Sequence, residues 1–182
     1  TVIVADFPLR WTVSNMAKYY EKGIDSVIPS QRAIPSRYMD PKIKNRSRMW
    51  YQMANIEVSK YKGEDNWALL IDDDGFITEG SSSNAWILIG NTVYTRPVSS
   101  SILNGITRKT LMKGLSKYGY KFKEKKFNLK DIKKSKEAYI TSATQYVMPV
   151  TKIDNHKVGN GKVGKFAKHF KDIYLESVQL SD

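Results

Sequence analysis

The chain has 182 residues, 41% hydrophobic and 26% charged, with a formal net charge of +12, enough for one full-sized core or one large domain with an appendage. Zero Cys excludes disulfides, thiolate metal sites and thiol nucleophiles, and two His leave little material for a metal site or a Ser/His triad. No apolar run is long enough to span a bilayer and no signal-peptide pattern opens the sequence, so the expectation is a cytoplasmic enzyme or binding protein without a metal.

Val2-Ile3-Val4-Ala5 reads as a short buried strand closed by Asp6-Phe7-Pro8. Ser14 is placed to cap a helix through Met16, Tyr19 and Tyr20, which Gly23 stops. Ser26-Val27-Ile28-Pro29 starts an extended course to Pro35, and its prolines argue for an edge or irregular path. Asp40-Pro41 makes a turn. Lys42-Ile43-Lys44-Asn45 then leads into a helix from about Ser47 to Lys60, whose stripe of Met49, Met53 and Ile56, widened by Trp50, Ala54 and Val58, predicts the core face. Lys44 stands just ahead of that helix, an unfavourable place for a cation.

Asp73-Asp74-Gly75 is a strong turn signal between two strands, because Asp tolerates and Gly prefers positive φ. Glu79-Gly80 ends the second arm, and Ser81-Ser82-Ser83-Asn84 is a polar loop before the apolar run Ala85 to Ile89. Gly90-Asn91 turns into Thr92-Val93-Tyr94-Thr95. Ser99 to Thr107 then opens a helix carrying Leu111, Met112, Leu115 and Tyr118, ended by Gly119. A Ser/Asn/Gly/Thr loop at a helix start presents unpaired N–H groups and hydroxyls, and the helix dipole favours an anion there. A carboxylate corner at Glu79 and a possible phosphate cradle at Gly105 to Thr107 thus share one compact β unit. Further on, Tyr120 to Lys125 alternates like a half-buried strand, Asn128 can cap a short helix, and Glu137 to Ser142 is a strand. The loop from Ala143 leads into a strand containing Pro149, and Lys165 to Glu176 is the last helix.

Pyridoxal phosphate needs a Lys for its aldehyde, an acid beside its pyridine nitrogen and an anion site for its phosphate. Each signal alone has an ordinary explanation in capping or solvation; their order and spacing carry the weight. Thr78-Glu79-Gly80-Ser81-Ser82-Ser83-Asn84-Ala85-Trp86, Tyr94-Thr95-Arg96-Pro97 and Leu103-Asn104-Gly105-Ile106-Thr107-Arg108 resemble the signature runs of the fold-type IV pyridoxal phosphate enzymes. These include branched-chain and D-amino-acid aminotransferases, (R)-amine transaminases and aminodeoxychorismate lyase. Asp40-Pro41-Lys42-Ile43-Lys44-Asn45 resembles the (R)-amine transaminase form of the cofactor-lysine segment, which selects Lys44 over Lys42.

The resemblance implies an α+β fold, the large C-terminal domain of the D-amino-acid aminotransferase-like fold, with a β-barrel-like sheet core flanked by helices. It implies residues 1–13 as the end of a small N-terminal domain and its connection, and 14–182 as the cofactor-binding domain, the rest of the N-terminal domain being absent. Lys44 would be the catalytic residue and cofactor lysine, and Glu79 the partner of the ring nitrogen. Asn84, Leu103, Gly105, Ile106, Thr107, Ala143 and Thr144 would complete the pyridoxal 5′-phosphate site. Three positions depart from the pattern: Met49 stands where many members have a Tyr on the cofactor's ring oxygen, Ala143 where many have a Thr on the phosphate, and Gly164-Lys165 where the last helix usually starts with Gly-Pro.

The function implied is an aminotransferase moving an amino group between a branched-chain-like amino acid and a 2-oxo acid, in a homodimer that binds neither nucleic acid nor membrane. Aminodeoxychorismate lyase chemistry is the alternative within the family. From another class, the Lys-rich stretch 109–136 raises a basic nucleic-acid-binding domain, although no such motif accompanies it and a solvated face explains it better.

Overall fold

A computed structural model describes Val2, Val4 and residues 9–45, 47–63, 66–98 and 101–179. The strand expected at 2–5 lies outside them, apart from Val2 and Val4, both exposed. In chain order the elements are α1 (Leu9–Lys22), β1 (Ile24–Val27), α2 (Met49–Val58), β2 (Asn66–Ile71), β3 (Ile77–Gly80), β4 (Asn84–Ile89) and β5 (Thr92–Thr95). There follow α3 (Ile106–Lys117), β6 (Lys121–Glu124), α4 (Leu129–Ile132), β7 (Glu137–Ser142), β8 (Tyr146–Ile153), β9 (His156–Lys157) and α5 (Lys165–Gln179).

The sheet runs β3-β2-β1-β8-β7-β4 and returns to β3, because Glu79 pairs with Asn84 across β3 and β4. Six strands therefore close on themselves. Closure leaves those strands no free edge, and β5, β6 and β9 extend the sheet beyond the ring. β1 is parallel to β2 and β8, and β5 to β6; the other neighbours are antiparallel. The parallel β1–β2 and β5–β6 pairs require crossovers, and α2 and α3 supply them.

Strand alternation sorts the apolar residues. Ala85, Ile87, Ala138, Ile140, Met148 and Val150 fill one side of the wall, together with Leu69, Ile77 and Phe127. Trp86, Leu88, Tyr139 and Val147 face the other way, under Leu111 and Leu115 of α3 and Phe170, Ile173 and Tyr174 of α5. Because both faces are covered, β4 and β7 read as continuous apolar runs. Trp86 satisfies its indole N–H on Thr141 Oγ1 at 2.9 Å.

The turns follow the sequence signals. Gly75 (φ +81°), Gly90 (φ +60°) and Gly119 (φ +72°) adopt the left-handed conformation that only Gly takes without strain. Asn128 caps α4 with a reciprocal bond from its own backbone N–H to Asp131. Two expectations change. α1 begins at Leu9 instead of Ser14, with Met16, Tyr19 and Tyr20 packed on the barrel core, and Gly23 (φ +76°) ends it as expected. In α2, Met49, Met53 and Ile56 are exposed; Ala54 and Val58 are buried, with Trp50 and Tyr51 half-buried beside them against Val27, Ala68 and Leu70. Both sets have helical spacing, so the stripe alone could not choose between them. Among the described residues no helix is long and apolar enough to cross a membrane.

Candidate active site

The barrel closes at Glu79, and the site grows from that point. Glu79 is 5% exposed. Its Oε1 accepts from Tyr51 Oη at 2.7 Å, and its Oε2 accepts from Leu103 N at 3.0 Å and Asn84 Nδ2 at 3.2 Å. Burial pushes its pKa from 4.5 up to about 7, against the hydrogen bonds from Tyr51 and Leu103 and the nearby Arg48 charge, which favour the ionised form. A buried carboxylate poised near neutrality suits contact with a cationic or protonated ligand group.

Asn84 Nδ2 also donates to Leu103 O at 2.9 Å, tying the loop before α3 to the barrel. A Cβ on Gly105 would lie 2.3 Å from Asn84 Oδ1, so only Gly lets the α3 N-terminus approach so closely. Gly105 is the N-cap of α3 and offers no side-chain cap; the first amides of the helix are therefore available to an anion. Two buried arginines brace this corner from behind. Arg96 binds Asp72 at 2.6 Å and Ile77 O at 3.0 Å, and Arg108 donates to Arg96 O at 2.9 Å and Glu124 at 2.5 Å.

An open cleft of about 290 Å³ brings the pieces together. Lys44, Glu79, Asn84, Leu103, Gly105, Ile106, Thr107 and Ala143 all border it, as do Arg48, Ser82, Ser83 and Ser142. Toward α2 it continues past Met39, Trp50 and Tyr51. Lys44 itself is exposed, in the segment ahead of α2. Thr144 is not in the lining: it is exposed, with its hydroxyl 3.3 Å from Ser142 Oγ, because the turn after β7 directs Ser142 and Ala143 toward the cleft instead. Tyr51 and Arg48 carry no sequence signal of their own: neither belongs to the apolar stripe read in α2, and only the fold brings them to the cleft.

The donor set fits pyridoxal 5′-phosphate: a primary amine, a buried acid and an uncapped helix start on one cleft. Comparison with known proteins agrees. Residues 3–153 match the family described as amino-transferase class IV. The chain belongs to that family. A Staphylococcus epidermidis D-alanine aminotransferase is 30% identical over 94% of this chain and 61% of its own. A Methanocaldococcus jannaschii protein, provisionally named a branched-chain-amino-acid aminotransferase, is 33% identical over 86% of this chain and 54% of its own. Among solved structures, the branched-chain amino acid aminotransferase from Thermobaculum terrenum in its PLP (holo) form superposes with a TM-score of 0.80 at 25% identity, covering 89% of this chain and 53% of that one. The chain thus spans little more than half the length of these relatives, and its fold is the α+β, barrel-cored fold of class IV aminotransferases.

Proposed function

We propose that the protein of which this chain is the cofactor-binding part (residues 14–182) is a pyridoxal 5′-phosphate-dependent aminotransferase. It exchanges an amino group between a branched-chain-like amino acid and a 2-oxo acid. One observation carries the reading: Lys44, Glu79 and the start of α3 border a single cleft.

When bound, the cofactor supplies an aldehyde to take up the amino group and a ring that withdraws electrons from the substrate Cα. Lys44 Nζ would hold that aldehyde and carry the proton to and from the substrate Cα. Glu79 would keep the proton on the ring nitrogen; an acid is required there, since a neutral partner would not hold it. The Ile106 and Thr107 amides and the Thr107 hydroxyl would bind the phosphate, with Leu103 against the ring face. Asn84 holds Glu79 and the Leu103 carbonyl in register. A homodimer belongs to the same proposal, and the exposed Met49, Met53 and Ile56 of α2 supply apolar surface for one.

The visible spectrum after adding pyridoxal 5′-phosphate, followed by borohydride reduction and peptide mapping, tests the site. A reduced label on Lys44 is expected; a label elsewhere, or none, refutes the assignment. The D-alanine aminotransferase relatives favour a second reading of the substrate, a D-amino acid. Amino transfer to 2-oxoglutarate from L-leucine against D-alanine separates the two.

A further inference from the structure

Tyr51 has no part in the reading above, yet its 2.7 Å bond to Glu79 is shorter than those from Leu103 and Asn84. It lies in the first turn of α2, the helix that follows Lys44. Its ring meets Trp50 at 5.4 Å and carries the Arg48 guanidinium 4.7 Å from its centroid. Lys44, Arg48, Tyr51, Glu79 and Leu103 border the same end of the cleft.

We propose that Tyr51 is a positioning residue: it fixes the Glu79 carboxylate to receive a protonated pyridine nitrogen and couples that acid to the segment bearing Lys44. The inference rests on the cofactor reading. A carboxylate offers about four acceptor directions. Leu103 N and Asn84 Nδ2 both bind Oε2, so without Tyr51 the other oxygen is unheld and Glu79 is free to turn about its last bond. With Tyr51 in place, three directions are filled and one remains for a donor in the cleft.

A phenol suits this post. Burial and the adjacent carboxylate raise the Tyr51 pKa well above its ordinary value of 10, so the hydroxyl remains a neutral donor. A Lys or Arg in its place would form an ion pair with Glu79 and compete with the cationic ring nitrogen. A Phe would leave Oε1 buried and unpaired.

The test uses the full chain as wild type, Tyr51→Phe, Glu79→Gln and the double variant. Without cofactor, ¹³C NMR of Glu79 should give a midpoint near 7 in wild type, higher in Tyr51→Phe, and the wild-type Tyr51 ring signal should move with the Glu79 midpoint. Pyridoxal 5′-phosphate should bind Tyr51→Phe about tenfold more weakly, as expected for one lost bond to a charged group. That loss should shrink in the Glu79→Gln background. An unmoved Glu79 midpoint, a Tyr51 signal indifferent to it, or equal losses in both backgrounds each overturn the role for Tyr51. The Tyr51 signal needs no variant, so it decides even if Tyr51→Phe fails to fold. Absence of a borohydride-fixed label on wild-type Lys44 overturns the cofactor reading instead, and with it the purpose given to Tyr51.

Discussion

The barrel carries two helical coverings built to different standards. On one face α3 and α5 press so closely that a Cβ on Gly114 would lie 2.6 Å from Ile173 Cγ2, and Leu111, Leu115, Phe170 and Trp86 are all essentially inaccessible. On the other, α2 buries only Ala54 and Val58 fully and leaves Met49 68% exposed. The dense covering lies over β4, which carries Asn84, the pairing partner of Glu79; the thin one leaves an open cleft beside an exposed Lys44. Rigidity and access are thus divided between two regions of the barrel's outer wall.

The two coverings should therefore respond oppositely to truncation. Lys44→Ala should lower transamination by about 10³-fold or more, because the group that binds and moves the proton is gone. Its melting transition should hardly move, since substitution of an exposed residue outside any structural bond typically changes stability by no more than about 0.5 kcal/mol. Turnover by Lys44→Ala within tenfold of wild type would break the comparison. Phe170→Ala, on the dense face, should cost about 3–5 kcal/mol of stability in urea unfolding, whereas Met53→Ala on the thin face should cost little. Equal costs would mean that α2 is packed as firmly as α5.

This contrast also marks what the sequence could reveal. Asp73-Asp74-Gly75, Gly90-Asn91 and the Asn128 cap are local devices, in which a few adjacent residues fix backbone angles and their own hydrogen bonds; all were legible, and the structure adds the reciprocal bond to Asp131. Lys44, Glu79 and the Gly105–Thr107 helix start were singled out through family resemblance, and all of them border one cleft. Barrel closure was harder, since β1 lies between β2 and β8, with Asp25 paired to both Asn66 and Lys152, and nothing in one strand names such a partner. The orientation of α2 was misread because Met49-Met53-Ile56 and Trp50-Ala54-Val58 are both apolar at helical spacing. In the fold, Ala54 and Val58 meet Val27, Ala68 and Leu70 while the Tyr51 hydroxyl meets Glu79, long-range contacts that periodicity does not record.

Glu79 sharpens the comparison through pH. Its carboxyl holds a proton up to about 7 in the folded chain but only to about 4.5 in the unfolded one. Over that window the folded state binds the extra proton, so this group's contribution to stability falls as pH rises from about 4.5 to 7 and is flat above. The full difference corresponds to about 3 kcal/mol. Glu79→Gln removes the ionisation, so without cofactor it should be more stable relative to wild type at pH 8 than at pH 5, by about 1–3 kcal/mol. Denaturant melts at the two pH values measure this. A pH-independent difference would mean that Glu79 is solvated, and that the cleft wall is as loose as α2.

The smallest effect is expected at the turn after β7, where Ala143 borders the cleft and Thr144 does not. Ala143→Thr places a hydroxyl where a phosphate at the α3 start could accept from it. One hydrogen bond to a charged acceptor at a solvent-open edge, worth about 1 kcal/mol, should tighten pyridoxal 5′-phosphate about fivefold in an absorbance titration. Thr144→Ala should change binding less than about twofold, because Thr144 itself is outside the lining. The reverse ranking would require the turn to rotate on binding, bringing Thr144 inward. That rotation would disturb the Gln145 carbonyl, which accepts from Tyr20 Oη at 2.9 Å, so Tyr20→Phe should then alter cofactor affinity too, and with a fixed turn it should not.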